Sequence, residues 1–267
     1  MSAAPAQAFV EIAGTRIAYR EDGDVSAPTL VLVHSLGTDL HMWDPQLDAL
    51  AERFRVVRYD CRGHGASDVA HGATSLERLG GDLVALLDAL AIERAHVCGL
   101  SLGGITAMWV AVHHPARIAR AVFANTAARL GTRERWEARI ATVRAGGMAA
   151  LRDTVVERFL SASFRAAHPD VTRRIGEMVE ATPPEGYVAA CGALREADLR
   201  DVVGRIRAPS LVITSEWDES TPPAQGAALH AAIPGSELAE IPRAAHLSNV
   251  ERPEAFTSLV TRFLGVP

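Results

Sequence analysis

The chain has 267 residues, of which 48% are hydrophobic and 22% charged, with a formal net charge of −5. This is ordinary for a folded globular protein, long enough to bury a core without disulfides or metals, and the negative balance argues against a duplex-binding protein, which would usually carry a basic stripe. Every basic residue is Arg and none is Lys, which excludes Schiff-base chemistry and a Walker-type phosphate loop.

Residues 1–8 carry neither a basic stretch nor an apolar run, so no targeting signal is expected there. Two short apolar runs, 9–12 and 15–19, flank Ala13-Gly14 and predict a β-hairpin. Residues 29–34 (TLVLVH) are nearly all apolar, as in a strand buried on both faces. Asp44-Pro45 offers an N-cap followed by Pro at the first helical position. Residues 54–59 form the next strand. Thr74 with Glu77 fits a capping box. Behind it Leu76, Leu79, Leu83, Leu86 and Leu90 make the stripe of an amphipathic helix. A strand at 96–99, a helix from Leu102 and a strand at 119–124 follow. The alternation predicts a mostly parallel sheet with helices on both faces.

Beyond this point the rhythm stops. From 127 to 205 the pattern is helical, with breaks at Gly146-Gly147, His168-Pro169 and Pro183-Pro184, so this block is expected to be a helical cap inserted into a core formed by 1–126 and 206–267. Strands at 210–214 and 238–241, a helix after Thr221-Pro222-Pro223 and a last helix at 253–264 complete the chain. Its apolar runs are far short of the ~20 residues of a membrane span. Cys61, Cys98 and Cys191 form no C-x-x-C pair and read as buried free thiols of a reducing compartment. A soluble, cytoplasmic protein without membrane or nucleic-acid partners is expected.

The sharpest motif is Gly99-Leu100-Ser101-Leu102-Gly103. It fits G-x-S-x-G between a strand and a helix, the context of a nucleophile elbow. The bland reading is a Gly-rich turn with a surface Ser. A serine needs a base, and the base an orienting acid, in the chain order Ser, Asp or Glu, His. Asp218 lies just past strand 210–214 and has room to project before the next helix; Glu216 and Glu219 are its rivals. His246 follows the last strand and is the expected base. The other nine histidines fit structural or surface positions, His71 among them in a polar loop and His64 in a turn. Two backbone donors are needed for an oxyanion. The N–H of Leu102 and the N–H of Leu36, in the Ser35-Leu36-Gly37 loop, are the candidates.

Taken together, His34-Ser35-Leu36-Gly37, residues 59–67 (YDCRGHGAS), Gly99 to Gly104, Asp218 and His246 resemble the α/β-hydrolase family. More narrowly, Ser35 to Asp39 with Met42-Trp43, Ala124-Asn125-Thr126-Ala127, Glu185-Gly186-Tyr187 and Ala245 to Glu251 resemble the 3-oxoadipate enol-lactonases of the β-ketoadipate pathway. Many members carry Asn where this chain has His34, whose default role is to bond the loop backbone. The resemblance implies hydrolysis of a carboxymethyl enol-lactone by Ser101, Asp218 and His246, with no metal or organic cofactor.

An anionic substrate calls for a cation, and Arg suits a carboxylate. Arg133, Arg135 and Arg139 are candidates, with Trp136 on the same helix and Trp43 as a pocket floor. Each Arg also fits a solvated helix face, and each Trp a core position. A broader esterase, another lactonase or a hydrolase-fold ligand receptor would carry the same triad. Ser101 argues against hydrolases of this fold that use an Asp nucleophile.

Overall fold

The computed structural model describes residues 7–69 and 72–265. Residues 1–6 and His71, on which two of the sequence expectations fall, lie outside them. Eight strands form one sheet: β1 (Ala8–Ile12), β2 (Thr15–Asp22), β3 (Thr29–Val33), β4 (Arg55–Tyr59), β5 (Ala95–Leu100), β6 (Ile118–Ala124), β7 (Ser210–Ser215) and β8 (Glu237–Ile241). Their spatial order is β1-β2-β4-β3-β5-β6-β7-β8. The hairpin β1–β2 and the pair β2–β4 are antiparallel, and every other pairing is parallel. The mostly parallel sheet expected from the alternation is therefore present. Successive side chains of a strand point to opposite faces. Leu30, Val31, Leu32 and Val33 of β3 are all 0% exposed, so the sheet centre is covered on both sides.

The α-helices are, in chain order, α1 (Leu47–Ala51), α2 (Leu76–Ala89), α3 (Leu102–His113), α4 (Arg133–Gly146), α5 (Ala149–Phe159), α6 (Ala162–Ala167), α7 (Pro169–Ala181), α8 (Pro184–Glu196), α9 (Pro223–Ala232), α10 (Ser248–Glu251) and α11 (Pro253–Leu264). Five of them, α4 to α8, lie between β6 and β7. The Gly and Pro breaks mark three of their four junctions. The fourth falls at Leu160, where the chain turns extended and the Ser161 side chain caps α6. Among the described residues no helix is long and apolar enough to cross a membrane. All three cysteines are free and buried.

Two capping expectations are corrected. The Ser75 hydroxyl, not Thr74, caps α2 by accepting from Arg78 N at 3.1 Å. Asp44 does not open a helix. Asp39 caps a 3-10 segment, Leu40–Gln46, in which Pro45 is internal. Asp44 instead pairs with the buried guanidinium of Arg58 at 2.6 Å, which local sequence does not foretell.

Two glycines bring α8 onto the core. A Cβ on Gly186 would collide with the Gly63 carbonyl, and one on Gly63 with the Gly186 backbone. The turn after β4 and the start of α8 can touch only because both side chains are absent.

Candidate active site

The singled-out residues gather at the carboxyl ends of the parallel strands, where ligands bind in such sheets. Ser35 and Leu36 follow β3, Ser101 follows β5, Asp218 follows β7 and His246 follows β8.

Ser101 has φ 58° and ψ −112°, a strained geometry for a residue with a side chain. The turn is held by Ser101 N donating to the Ala124 carbonyl at 2.9 Å and by Thr126 Oγ1 donating to the Ser101 carbonyl at 2.8 Å. It is also tight: a Cβ on Gly103 would strike the Val33 carbonyl. Ser101 therefore stands at the N-terminus of α3, whose dipole favours negative charge.

The Asp218 carboxylate accepts from His246 Nδ1 at 2.8 Å. The same oxygen takes Asn125 Nδ2 at 2.9 Å and Thr221 Oγ1 at 2.6 Å. The other takes the backbone N–H groups of Ser220 at 2.8 Å and Thr221 at 3.0 Å. Burial works to raise the Asp218 pKa, but the His246 charge and hydrogen bond and the Thr221 donors outweigh it and hold it below the ordinary value. His246 is 2% exposed, and the Phe159 ring stacks on its imidazole at 5.5 Å. The loop that carries His246 is tied to the helical block 127–205: Leu247 N donates to the Phe159 carbonyl at 2.9 Å. Glu251 accepts from Ala245 N at 3.1 Å and from Ser161 N at 2.7 Å. The rival Glu216 instead accepts from Arg243 N at 2.7 Å.

Asn125 is the contributor that sequence reasoning did not assign. It directly follows β6 with φ 44°, donates to Asp218 and accepts from Ser248 Oγ at 2.6 Å. The chain Ala124-Asn125-Thr126 carried only a family likeness; the bond to Asp218 spans 93 residues and leaves no local trace.

The loop after β3 is clamped. The Ser35 carbonyl accepts from His34 Nδ1 at 2.7 Å, Thr38 Oγ1 at 2.8 Å and Thr38 N at 3.2 Å. His34 Nε2 accepts from Cys61 N at 2.8 Å, so the proton sits on Nδ1 and the ring is neutral. Burial pushes its pKa down to about 4. In a trans peptide the C=O and the following N–H point opposite ways. Fixing the Ser35 carbonyl thus aims the Leu36 N–H away from His34 and Thr38. Leu102 opens α3 directly after Ser101.

Ser35, Leu36, Ser101 and His246 line one small cavity with Trp136, Arg135 and Arg139 of α4. It is narrow, about 30 Å³ in volume. Arg139 donates to Tyr187 Oη at 2.9 Å, and Trp136 Nε1 to the Leu130 carbonyl at 2.6 Å. Burial, then the neighbouring charges of Arg139 and Arg158, lower the Arg135 pKa to about 10. Neither Arg135 nor Arg139 forms an ion pair among the described residues.

Two of the expected substrate-binding residues, Trp43 and Arg133, do not line this cavity. Trp43 is 0% exposed and packs its ring 5.9 Å from Phe256. The 3-10 segment turns it into the core beneath α11. Arg133 is exposed, pairs with Glu196 and borders a different cavity. Residues four apart share a helix face, whereas those two apart do not. Arg135 and Arg139 therefore face Ser101, while Arg133 faces solvent.

Comparison with known proteins identifies the family. The α/β-hydrolase fold family matches residues 28–253. A 3-oxoadipate enol-lactonase of Acinetobacter baylyi is 39% identical over 94% of each chain. The crystal structure of an enol-lactonase from Burkholderia xenovorans is similar with a TM-score of 0.95 and 44% identity, covering 96% of this chain and 99% of that one. A thermophilic esterase of Thermogutta terrifontis, with malate bound, gives a TM-score of 0.90 at 29% identity over 97% and 98%. The chain belongs to the α/β-hydrolase fold family and is a hydrolase.

Proposed function

We propose that the protein is a serine hydrolase that opens a carboxymethyl enol-lactone to 3-oxoadipate in aromatic catabolism. In this reading Ser101 Oγ attacks the lactone carbonyl while His246 Nε2 takes its proton. Asp218 fixes the imidazole tautomer and stabilises its cation. The Leu36 and Leu102 N–H groups hold the oxyanion. When the tetrahedral intermediate collapses, the ring C–O bond breaks and the ring oxygen leaves as an enolate. It takes a proton and relaxes to a ketone, so the leaving group is far better than an alkoxide. Water, deprotonated by His246, then cleaves the Ser101 ester. No step calls for a metal or organic cofactor.

Residues 127–205 serve as a cap. Its helices carry Arg135, Arg139 and Phe159 onto the wall of the cavity that holds Ser101 and His246.

The observation that carries the substrate class is the pair of guanidinium groups, Arg135 and Arg139, on the wall shared with Ser101 and His246. Both lack an acidic partner among the described residues. Two half-buried guanidinium groups side by side, without an acidic partner, favour an anion between them, and a substrate carboxylate supplies it. Names of relatives at 39% and 44% identity support the same class.

Loss of the lactone's ultraviolet absorbance tests the proposal directly, with Ser101→Ala as the blank. Fast, Ser101-dependent loss is expected. No loss, with turnover of simple aryl esters, would keep the triad and discard the lactone.

A further inference from the structure

Ser35 is 0% exposed, and its hydroxyl has no hydrogen-bond partner among the described residues. It lines the cavity shared by Ser101 and His246. The loop does not need the hydroxyl to hold its shape. The Ser35 carbonyl already takes three donors, and its N–H reaches Met42 Sδ at 3.2 Å. A buried polar group left unpaired costs stability, so a partner that arrives only with substrate is the natural account of it.

Ser35 directly precedes Leu36, whose N–H is aimed away from the clamp formed by His34 and Thr38. The arginines that suit a substrate carboxylate come from α4. The group left for a donor on the β3 loop is the reacting carbonyl. We infer that the Ser35 hydroxyl is a third donor to the carbonyl oxygen, alongside the N–H groups of Leu36 and Leu102. The hydroxyl can rotate its hydrogen to an oxygen gaining negative charge, and it donates most strongly when that oxygen is an anion. Its contribution is therefore made mainly in the transition state. The inference rests on the proposed role of Ser101.

The test compares Ser35→Ala with the parent and with Ser101→Ala, on the enol-lactone and on p-nitrophenyl acetate. Ser35→Ala is expected to lower kcat roughly a hundredfold on whichever ester is turned over, with KM within twofold and an unchanged or higher Tm. A kcat within twofold of the parent would overturn the inference. So would a rise in KM alone, which marks ground-state binding, or a fall in Tm, which marks a structural role. An inactive Ser101→Ala beside a fully active Ser35→Ala refutes only this inference. Residual turnover by Ser101→Ala refutes the proposed mechanism and this donor with it.

Discussion

His246 and Asp218 are joined by a 2.8 Å hydrogen bond from Nδ1 to a carboxylate oxygen that also accepts from Asn125 and Thr221. With five donors around it, the carboxylate stays ionised and cannot turn away from the imidazole.

Asp218→Asn replaces this acceptor with an amide that favours the wrong imidazole tautomer. It is expected to lower kcat by about 10³–10⁴-fold and to leave the fold intact. Glu216→Gln, which loses only a bond from the Arg243 backbone, is expected to stay within twofold of wild type. Steady-state kinetics of the two variants check the assignment, and the reverse pattern would move the acid to Glu216.

Arg135→Gln and Arg139→Gln each remove a cation from the cavity wall. A charge-assisted hydrogen bond contributes about 1.5–3 kcal/mol. The expected loss in kcat/KM on the anionic lactone is therefore roughly ten- to hundredfold, with little change on neutral p-nitrophenyl acetate. Arg133→Gln, on the solvent face, is expected to change neither. Equal losses on both substrates would show that the arginines shape the pocket and do not bind a carboxylate.

Trp43→Ala tests the core placement of that ring. Removing a buried Trp costs about 3–5 kcal/mol, read as a fall in the denaturant midpoint. The ratio of lactone to aryl-ester turnover is expected to hold in the folded fraction. A changed ratio at unchanged stability would return Trp43 to the pocket.

His34 and His64 lie with ring centroids 5.2 Å apart and no exposed surface. Burial lowers their pKa values to about 4 and about 3, with the charge of His34 adding to the effect on His64. Unfolded imidazoles titrate near ~6.5. Between these values the unfolded chain binds more protons than the folded one. The stability contributed by both rings is complete above ~6.5 and drains away as the pH falls toward the folded values. Asp60 and Asp82, whose carboxyls burial pushes up, act in the opposite sense. A variant comparison therefore isolates the imidazoles. His64→Gln is expected to show a flatter fall of Tm from pH 6.5 to 4.5 than wild type, and an identical slope would contradict the neutral, buried pair.

Much of this was legible in the sequence because its causes are local. Apolar runs of β length gave the strand ends within one residue, as with the stretch that became β3, except that β2 runs three residues past its apolar run to Asp22. Gly and Pro marked the helix breaks, and the Gly spacing around Ser101 announced a tight turn after a strand. What stayed hidden depends on contacts between distant segments. Ser75 outcompeted Thr74 as a cap by one residue of register. Asp44 was drawn to Arg58, and Trp43 turned toward Phe256 in α11. Arg133 and Arg135 are equivalent by composition, and only the orientation of α4 separates them. Asn125 became a support for Asp218 because β6 and β7 are neighbours in the sheet.

The central claim is a covalent ester on Ser101, and rapid acid quench of the enzyme with the enol-lactone tests it most directly. Ring opening does not release a fragment, so the acyl-enzyme retains the whole substrate. Mass spectrometry of the digested protein is expected to show a peptide containing Ser101 heavier by the full mass of the lactone, and no such adduct in Ser101→Ala. Turnover without an adduct, or an adduct on any other peptide, would contradict the account.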